Sequence, residues 1–185
     1  MSYLRWKNDV YDRVWYAFST LPNSVPVNTS SVIDIQNNND NYQLPSEVLQ
    51  TAVQPSSGYR SLSFSVSNYT DGSYYVCFHF AEIAKLTQGK KREFIVNVNE
   101  GSYISEPITL DYLKPLSKCL NRTFDGVRFV INATTGSDLP PILNAFEVYG
   151  VIPPYDLQKP TNSRDGMYLY LIILFLFSFL KYLKV

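Results

Sequence analysis

The sequence predicts an all-β fold built as a two-sheet β-sandwich, and three observations lead to this prediction. Short apolar or alternating segments recur along the chain, with polar turn residues between them. The composition is rich in residues typical of strands, including 15 tyrosines and 11 phenylalanines among 185 residues. No segment of the globular part sustains the apolar period of an amphipathic helix. Short strands at such spacing favour two packed sheets.

Several segments carry clear strand patterns. In residues 60–66, Leu62 and Phe64 alternate with serines, which indicates a half-buried strand. Residues 73–80 are apolar or aromatic at nearly every position, so we expect a central strand that is buried on both faces. The other predicted strands cover residues 93–99, 127–133 and 142–151, and a brief helical turn is predicted at 47–52.

Composition divides the chain into three parts. Residues 1–152 form the predicted globular domain. Residues 153–166 combine three prolines with polar residues, which predicts an extended linker. Residues 167–180 are apolar with a single serine, and two lysines follow within the last five residues of the chain. We therefore treat residues 167–185 as a hydrophobic tail and a candidate membrane anchor.

The tail predicts a transmembrane helix. Residues 167–180 would form about 21 Å of helix, and the last residues of the chain, with lysines that reach the interface, extend it toward the roughly 30 Å of a bilayer core. Tyrosines at its start and lysines at its end place the globular part outside and the C-terminus in the cytoplasm. A glycosylphosphatidylinositol attachment signal and a tail created by gene truncation are alternative interpretations.

Candidate N-glycosylation sites indicate passage through the secretory pathway. Sequons begin at Asn28, Asn68, Asn121 and Asn132. An Asn- and Thr-rich β protein can also acquire such triplets by chance. The N-terminus carries charge almost at once and contains no apolar h-region, so no signal peptide is predicted. We therefore expect an extracellular domain in a chain that lacks its own signal peptide.

The two cysteines are predicted to stay unpaired. Cys77 lies inside an apolar strand, where a free thiol behaves as a small buried hydrophobe. A disulfide between Cys77 and Cys119 is the alternative if the chain is secreted.

The sequence favours binding over catalysis. Its 16 basic and 16 acidic residues cancel, which argues against nucleic acid as a partner. His79 is the single histidine and lies in an apolar strand, where a structural role is more common than a catalytic one. One histidine and two cysteines are too few for a zinc site, and no cofactor-binding motif is present. We expect no catalytic residue, no metal and no cofactor.

Four segments, in order, resemble the malectin-like domain of plant leucine-rich-repeat receptor kinases. They are residues 9–15 (DVYDRVW), 47–52 (EVLQTA), 74–83 (YYVCFHFAEI) and 139–149 (LPPILNAFEVY), and the third continues into 92–94 (REF) after a short loop. The resemblance spans nearly the whole globular part and corresponds to the second of two tandem lobes in the family. It implies a jelly-roll-like sandwich at the plasma membrane, ahead of leucine-rich repeats, a membrane span and a kinase. The first lobe, the repeats and the kinase are missing here, which suggests a truncated product or a chain begun inside a longer ectodomain.

The resemblance also implies a ligand site. Animal malectin, a more distant relative, binds a glucose disaccharide through loop aromatics and an aspartate, which fall on Tyr42, Phe64 and Asp138 here. The aromatic set is incomplete, and Asp138 also suits a turn before two prolines. Several plant relatives instead bind peptides or partner proteins. The expected function is extracellular recognition of a cell-wall carbohydrate or a peptide or protein ligand, together with receptor co-partners. A structural spacer lobe is the alternative, and a glycoside-processing enzyme is a remote third.

Overall fold

Strands dominate the part of the chain that the computed structural model describes, which is residues 3–5, 9, 11–17, 21–36, 42–66, 74–121, 127–150 and 174–178. One short helix, α1, covers Ser46–Leu49, and a 3-10 turn covers Asn99–Gly101. In chain order the strands are β1 Tyr3–Arg5, β2 Val14–Ala17, β3 Ser24–Asn28, β4 Thr51–Pro55, β5 Ser61–Val66, β6 Tyr74–Ala81, β7 Glu93–Val98, β8 Tyr103–Ile104, β9 Ile108–Thr109, β10 Pro115–Cys119, β11 Val127–Ala133, β12 Ala145–Gly150 and β13 Leu174–Ser178.

The strands form two large sheets and a small one. The six-stranded sheet has the order β1-β2-β13-β12-β6-β10. The five-stranded sheet has the order β5-β11-β7-β8, and β9 also pairs with β7. Strands β3 and β4 pair separately. Neighbours such as β6 and β12 are far apart in sequence, so the long-range pairing of a sandwich holds both sheets together.

Aromatic rings join the two large sheets. Phe78 of β6 lies 4.7 Å, centroid to centroid, from Phe129 of β11. Phe146 of β12 lies 4.7 Å from Phe64 of β5. These rings come from facing strands of different sheets, and such pairs stabilise a core beyond the area that they bury. The predicted two-sheet β-sandwich is therefore confirmed.

The strand predictions agree with the structure at their centres. The predicted segments at 60–66, 73–80, 93–99 and 127–133 correspond to β5, β6, β7 and β11. The segment predicted at 142–151 begins later, at Ala145, because Leu143 and Asn144 bond to residues outside β12. Strand β6 is buried on both faces, since its core face meets the five-stranded sheet and its opposite face is covered by residues before β2 and before α1. We call this opposite side the outer face of the six-stranded sheet.

The helix predicted for the tail is wrong where the structure describes the tail. Residues Leu174–Ser178 form β13, which runs antiparallel to β12 and parallel to β2. A short apolar run fits a central strand as well as a helix, and its phenylalanines favour the strand. In the described part of the chain, no helix is long and apolar enough to cross a membrane. The rest of residues 167–185 and the predicted linker 153–166 lie outside the described residues.

The prediction that the cysteines stay unpaired is also wrong. Cys77 of β6 and Cys119 of β10 are directly opposite each other in the antiparallel ladder, and a disulfide joins them. Their Cα atoms are 4.0 Å apart. The bond depends on the register of two strands with a sequence separation of 42, and no local pattern reveals that register.

We expect the disulfide to stabilise the sandwich. Replacing both cysteines with alanine should lower the free energy of unfolding by about 2–4 kcal/mol, because the bond restricts a long loop of the unfolded chain. Urea denaturation of the variant and the wild type measures the difference, and a thiol assay of the denatured wild type should find no free thiol. Two titratable thiols, or equal unfolding midpoints, would contradict this prediction.

Candidate functional site

A buried arginine fixes the N-terminal segment to the outer face of the six-stranded sheet. Arg13 Nε donates to Asp9 Oδ2 at 2.8 Å, and its Nη1 donates to Glu147 Oε1 at 3.0 Å. Its Nη2 donates to the carbonyls of Tyr42 and Gln43 at 2.8 and 3.1 Å. The side chain is only 3% exposed, so all three nitrogens exchange water for protein acceptors. This one guanidinium therefore joins three separate stretches of the chain.

Glu147 extends this cluster to the histidine. His79 Nε2 lies 3.2 Å from Glu147 Oε2, and His79 Nδ1 lies 2.8 Å from Ser117 Oγ. Burial alone would raise the pKa of Glu147, but the hydrogen bond with His79 and the charges of His79 and Arg13 hold that pKa below its ordinary value. An ionised carboxylate only accepts hydrogen bonds, so Nε2 of His79 carries a proton in this contact. Both ring nitrogens are therefore engaged with strands β10 and β12.

A buried asparagine connects β6, β12 and α1. Asn144 Nδ2 donates to the carbonyl of Leu49 at 2.7 Å, and its Oδ1 accepts from the backbone N–H of Ala81 at 2.8 Å. The asparagine is 0% exposed, and both ends of its amide are satisfied. Hence the side chain orients the chain as it enters β12.

A second buried ion pair holds the loop before β12. Arg92 Nε donates to Glu82 Oε2 at 2.7 Å, and Arg92 Nη1 donates to the carbonyl of Pro140. Both charged side chains are at most 2% exposed. The pair ties the end of β6 to the start of β7 and to the turn at Pro140.

These contacts explain the four segments that carry the family resemblance. The segments supply Asp9 and Arg13, Leu49, His79 and Glu82, and Asn144 and Glu147, in that order. Their polar side chains meet in buried clusters that hold the fold together. The family pattern in this sequence is thus mainly a pattern of structural contacts.

An open groove lies outside these clusters. It has a volume of about 500 Å³ and is formed by residues 54–60 together with Val25 and Pro140. Gly58 has a φ of +88°, which a side chain would strain, and the backbone N–H of Tyr59 closes the turn on the carbonyl of Ser56 at 3.0 Å. Tyr59 is 50% exposed, so its ring borders the groove and also faces solvent. An exposed ring with hydroxyl and amide neighbours suits contact with a peptide or a sugar.

Arg60 positions the groove against the turn that precedes β12. Its Nη2 donates to the carbonyls of Thr134 and Ser137 at 3.1 and 2.8 Å. Asp138 follows directly, is exposed, and accepts at Oδ2 from the backbone N–H of Lys91 at 2.9 Å. The aspartate therefore stabilises its own turn, and it follows the residue that Arg60 contacts.

The three predicted ligand residues lie in different places. Tyr42 is half-buried on the outer face, with its ring 5.7 Å from that of His79. Phe64 is half-buried against Phe146, within the core between the sheets. The six-stranded sheet therefore separates Tyr42 from Phe64, and Asp138 lies near neither contact. Sequence reasoning missed Tyr59 and Arg60, although the run Ser-Ser-Gly before them marks an exposed turn.

Three of the four predicted glycosylation asparagines fall within the described residues. Asn28 is exposed in β3, and Asn121 is exposed just after β10. Asn132 is half-buried in β11. Asn68 lies outside the described residues. Their modification stays a prediction.

The fold and these contacts define a two-sheet β-sandwich domain whose family can be identified. The chain belongs to the malectin-like domain family, whose sequence model matches residues 1–151. The putative leucine-rich repeat receptor-like protein kinase At2g19210 of Arabidopsis thaliana is 33% identical over 165 residues, which cover 88% of this chain and 18% of that protein. The Arabidopsis leucine-rich repeat receptor-like serine/threonine-protein kinase At2g14510 is 36% identical over 171 residues, which cover 88% of this chain and 18% of that protein. The chain therefore spans about a fifth of the length of these relatives.

Solved structures share the fold. The plant receptor-like kinase FER matches with a TM-score of 0.59 at 17% identity, over 77% of this chain and 45% of that chain. The extracellular domain of ANXUR1 from Arabidopsis thaliana matches with a TM-score of 0.58 at 17% identity, over 77% of this chain and 43% of that chain. A complex of the plant peptide RALF23 with FER and LLG2 matches with a TM-score of 0.58 at 19% identity, over 77% and 44%. At these identities the matches establish the fold.

The Arg13 cluster should be essential to stability. We expect Glu147→Gln to lower the free energy of unfolding by about 3–5 kcal/mol, because it breaks a buried ion pair and leaves the guanidinium undercompensated. Glu100→Gln is the matched control: it removes the exposed pair with Arg128 and should cost less than about 1 kcal/mol. Chemical denaturation at neutral pH measures both. Equal losses in the two variants would show that the buried cluster has no special role.

The Glu147→Gln variant also tests how the stabilising contribution of Glu147 depends on pH. The pKa of Glu147 is lowered in the folded state, so its stabilising contribution is complete above the ordinary value of 4.5 and is lost as the pH falls through the folded-state pKa. The difference in free energy of unfolding between the wild type and Glu147→Gln should therefore become smaller below about pH 4.5. Denaturation curves recorded from pH 7 down to pH 3 measure this difference, and a difference that grows in acid would refute the assignment.

Proposed function

We propose that this chain is the extracellular recognition part of a plant cell-surface receptor, or of a protein derived from one, and that it binds a peptide or protein ligand. The groove beside Tyr59 is the observation that carries the proposal. It combines an exposed aromatic ring, a guanidinium held in place by two carbonyls, and hydroxyl and amide groups from residues 54–57. Rigid aromatic and arginine side chains supply most of the energy of many protein–peptide contacts.

The comparisons support a peptide or protein as the ligand class. A solved complex with the same fold contains the plant peptide RALF23 and the protein LLG2 together with FER. The Arabidopsis relatives are receptor-like kinases, which supports an extracellular place at the plasma membrane and a receptor co-partner. The match to a malectin-like domain covers residues 1–151, so the proposal for this chain is recognition and not phosphoryl transfer.

A cell-wall carbohydrate is the second candidate. Tyr59 lines the groove, and Arg60 connects its turn to Ser137, the residue before Asp138. A flat ring with nearby hydrogen-bonding groups is a common way to hold a sugar. In this arrangement Tyr59 would supply the aromatic contact, and Tyr42 and Phe64 would not share it.

The groove assignment is tested by substitution. Tyr59→Ala should weaken binding of the cognate peptide about 10- to 100-fold, because it removes the largest exposed apolar surface of the groove. Tyr112→Ala is the matched control, since Tyr112 is 43% exposed and does not line the groove. Screening the secreted chain by biolayer interferometry against panels of extracellular plant peptides and of cell-wall oligosaccharides identifies the ligand and measures both variants.

The outcomes separate the candidate functions. Peptide binding that Tyr59→Ala abolishes and Tyr112→Ala leaves intact supports the proposal. Oligosaccharide binding that is lost in Tyr59→Ala and in Asp138→Ala supports the carbohydrate candidate instead, whereas binding that survives Asp138→Ala and Tyr42→Ala removes those two residues from the site. A folded domain that binds nothing in either panel would overturn the proposal and favour a spacer lobe.

A further inference from the structure

One face of the five-stranded sheet points away from the sandwich core. Strand β11 lies in the middle of this sheet, between β5 and β7. Its Phe129 and Ile131 are 0% exposed and face the core. Successive side chains of a strand alternate between faces, so Val130 and Asn132 emerge on the opposite side, which we call the open face.

The register places Asn132 at the centre of the open face. It is directly opposite Ser61 of β5 on one side and Ile95 of β7 on the other. Val130 occupies the next row, between Ser63 and Asn97. The neighbours on β5 are small, exposed serines, so the surface around Asn132 has room for a bulky group.

Three aliphatic side chains cross this face beside Asn132. Ile95 and Val130 are half-buried, and Ile104 of β8 is 55% exposed. Ile104 pairs with Asn97, which places it on the same face and continues the row that contains Val130. Together they form a contiguous aliphatic strip at the surface, and a group that lies over the strip would remove it from water.

We infer that Asn132 carries an N-linked glycan that lies over this aliphatic strip and closes the open face to protein partners. Asn132-Ala133-Thr134 is a sequon, and a glycan is a bulky, solubilising surface group. The sugar attached to Asn132 starts beside Ile95, so its apolar ring face can cover that side chain, and the chain beyond it can reach Val130 and Ile104. The occupant of the open face is thus part of the same molecule.

The folded strand indicates when the sugar must be added. Strand β11 is hydrogen-bonded on both sides, and Thr134 of the sequon donates from Oγ1 to Glu93 Oε1 at 2.6 Å. Transfer therefore has to precede closure of the sheet, as the chain enters the secretory pathway. This inference rests on the extracellular placement in the proposed function, and the experiment separates the two.

The first test is site occupancy. The full chain is directed into the secretory pathway of plant cells, and the glycopeptides are mapped by mass spectrometry. We expect a glycan on Asn132, its loss in Asn132→Gln, and its retention in Thr134→Ser, which keeps the sequon and the hydroxyl. Occupied Asn28 or Asn121 with unmodified Asn132 would overturn this inference alone. A chain without any glycan would also overturn this inference, whereas the proposed function stands or falls with the peptide and oligosaccharide panels.

The second test is coverage of the aliphatic strip. On a hydrophobic interaction column Asn132→Gln should elute later than wild type, because Ile95, Val130 and Ile104 are uncovered. Asn121→Gln, which removes the exposed sequon after β10, should shift retention much less, and adding Ile95→Thr to Asn132→Gln should reverse most of the delay. Equal delays in Asn132→Gln and Asn121→Gln, or no effect of Ile95→Thr, would show that the glycan does not cover the strip.

Discussion

The guanidinium of Arg13 is the interaction on which the six-stranded sheet depends. A buried charge is tolerated only when each of its donors has an acceptor, and here the acceptors come from the N-terminal segment, the stretch before α1 and strand β12. The same contacts cover the outer face of β6, which explains why that strand is buried on both sides. Because Glu147 also contacts His79, and His79 contacts Ser117, the cluster extends across β12 and β6 to β10. The disulfide joins the last two of these strands on the same face, so covalent and ionic constraints reinforce one register.

The residues of the family pattern are different from the residues of the proposed binding groove. Partners inside the fold satisfy the polar groups of Arg13, Asn144 and Glu82. If one of these side chains turned toward a ligand, it would lose those hydrogen bonds and the fold would lose stability. In the proposed function, recognition is assigned to side chains of turns that these clusters hold in place. The Arg92–Glu82 pair fixes Pro140, and Pro140 is one wall of the groove. The buried ion pair thus holds one side of the groove in place.

Periodicity in the sequence was enough to predict the sheets where one face is polar. The serines that alternate with Leu62 and Phe64 identified β5, and the alternation around Phe94 identified β7, because each such strand has one face toward solvent. Periodicity could not predict the features that depend on the register of strands far apart in the sequence. The partner of Cys77 is set by the pairing of β6 with β10, and the apolar run at 174–178 became a strand because a position between β12 and β2 accepts it. Tyr59 carries no local signature of a site, because the groove that it lines also needs Pro140, which comes from a turn about eighty residues later.

The outer face, the open face and the groove differ in what covers them, and this difference limits where a partner can bind. The outer face of the six-stranded sheet is occupied by the chain's own N-terminal segment, and residues Tyr42 and Gln43 close over Arg13. The open face of the five-stranded sheet bears small serines on β5 and, with a glycan on Asn132, presents sugar rather than protein. Small ligands and peptide anchors need a concave surface with an aromatic ring. The groove formed by residues 54–60, Val25 and Pro140 has both, because the turn at Gly58 presents Tyr59 while Arg60 fastens that turn to its neighbour. A ligand that contacts the groove would meet a backbone turn and a guanidinium that are already held before binding, and such preorganisation lowers the entropic cost of association.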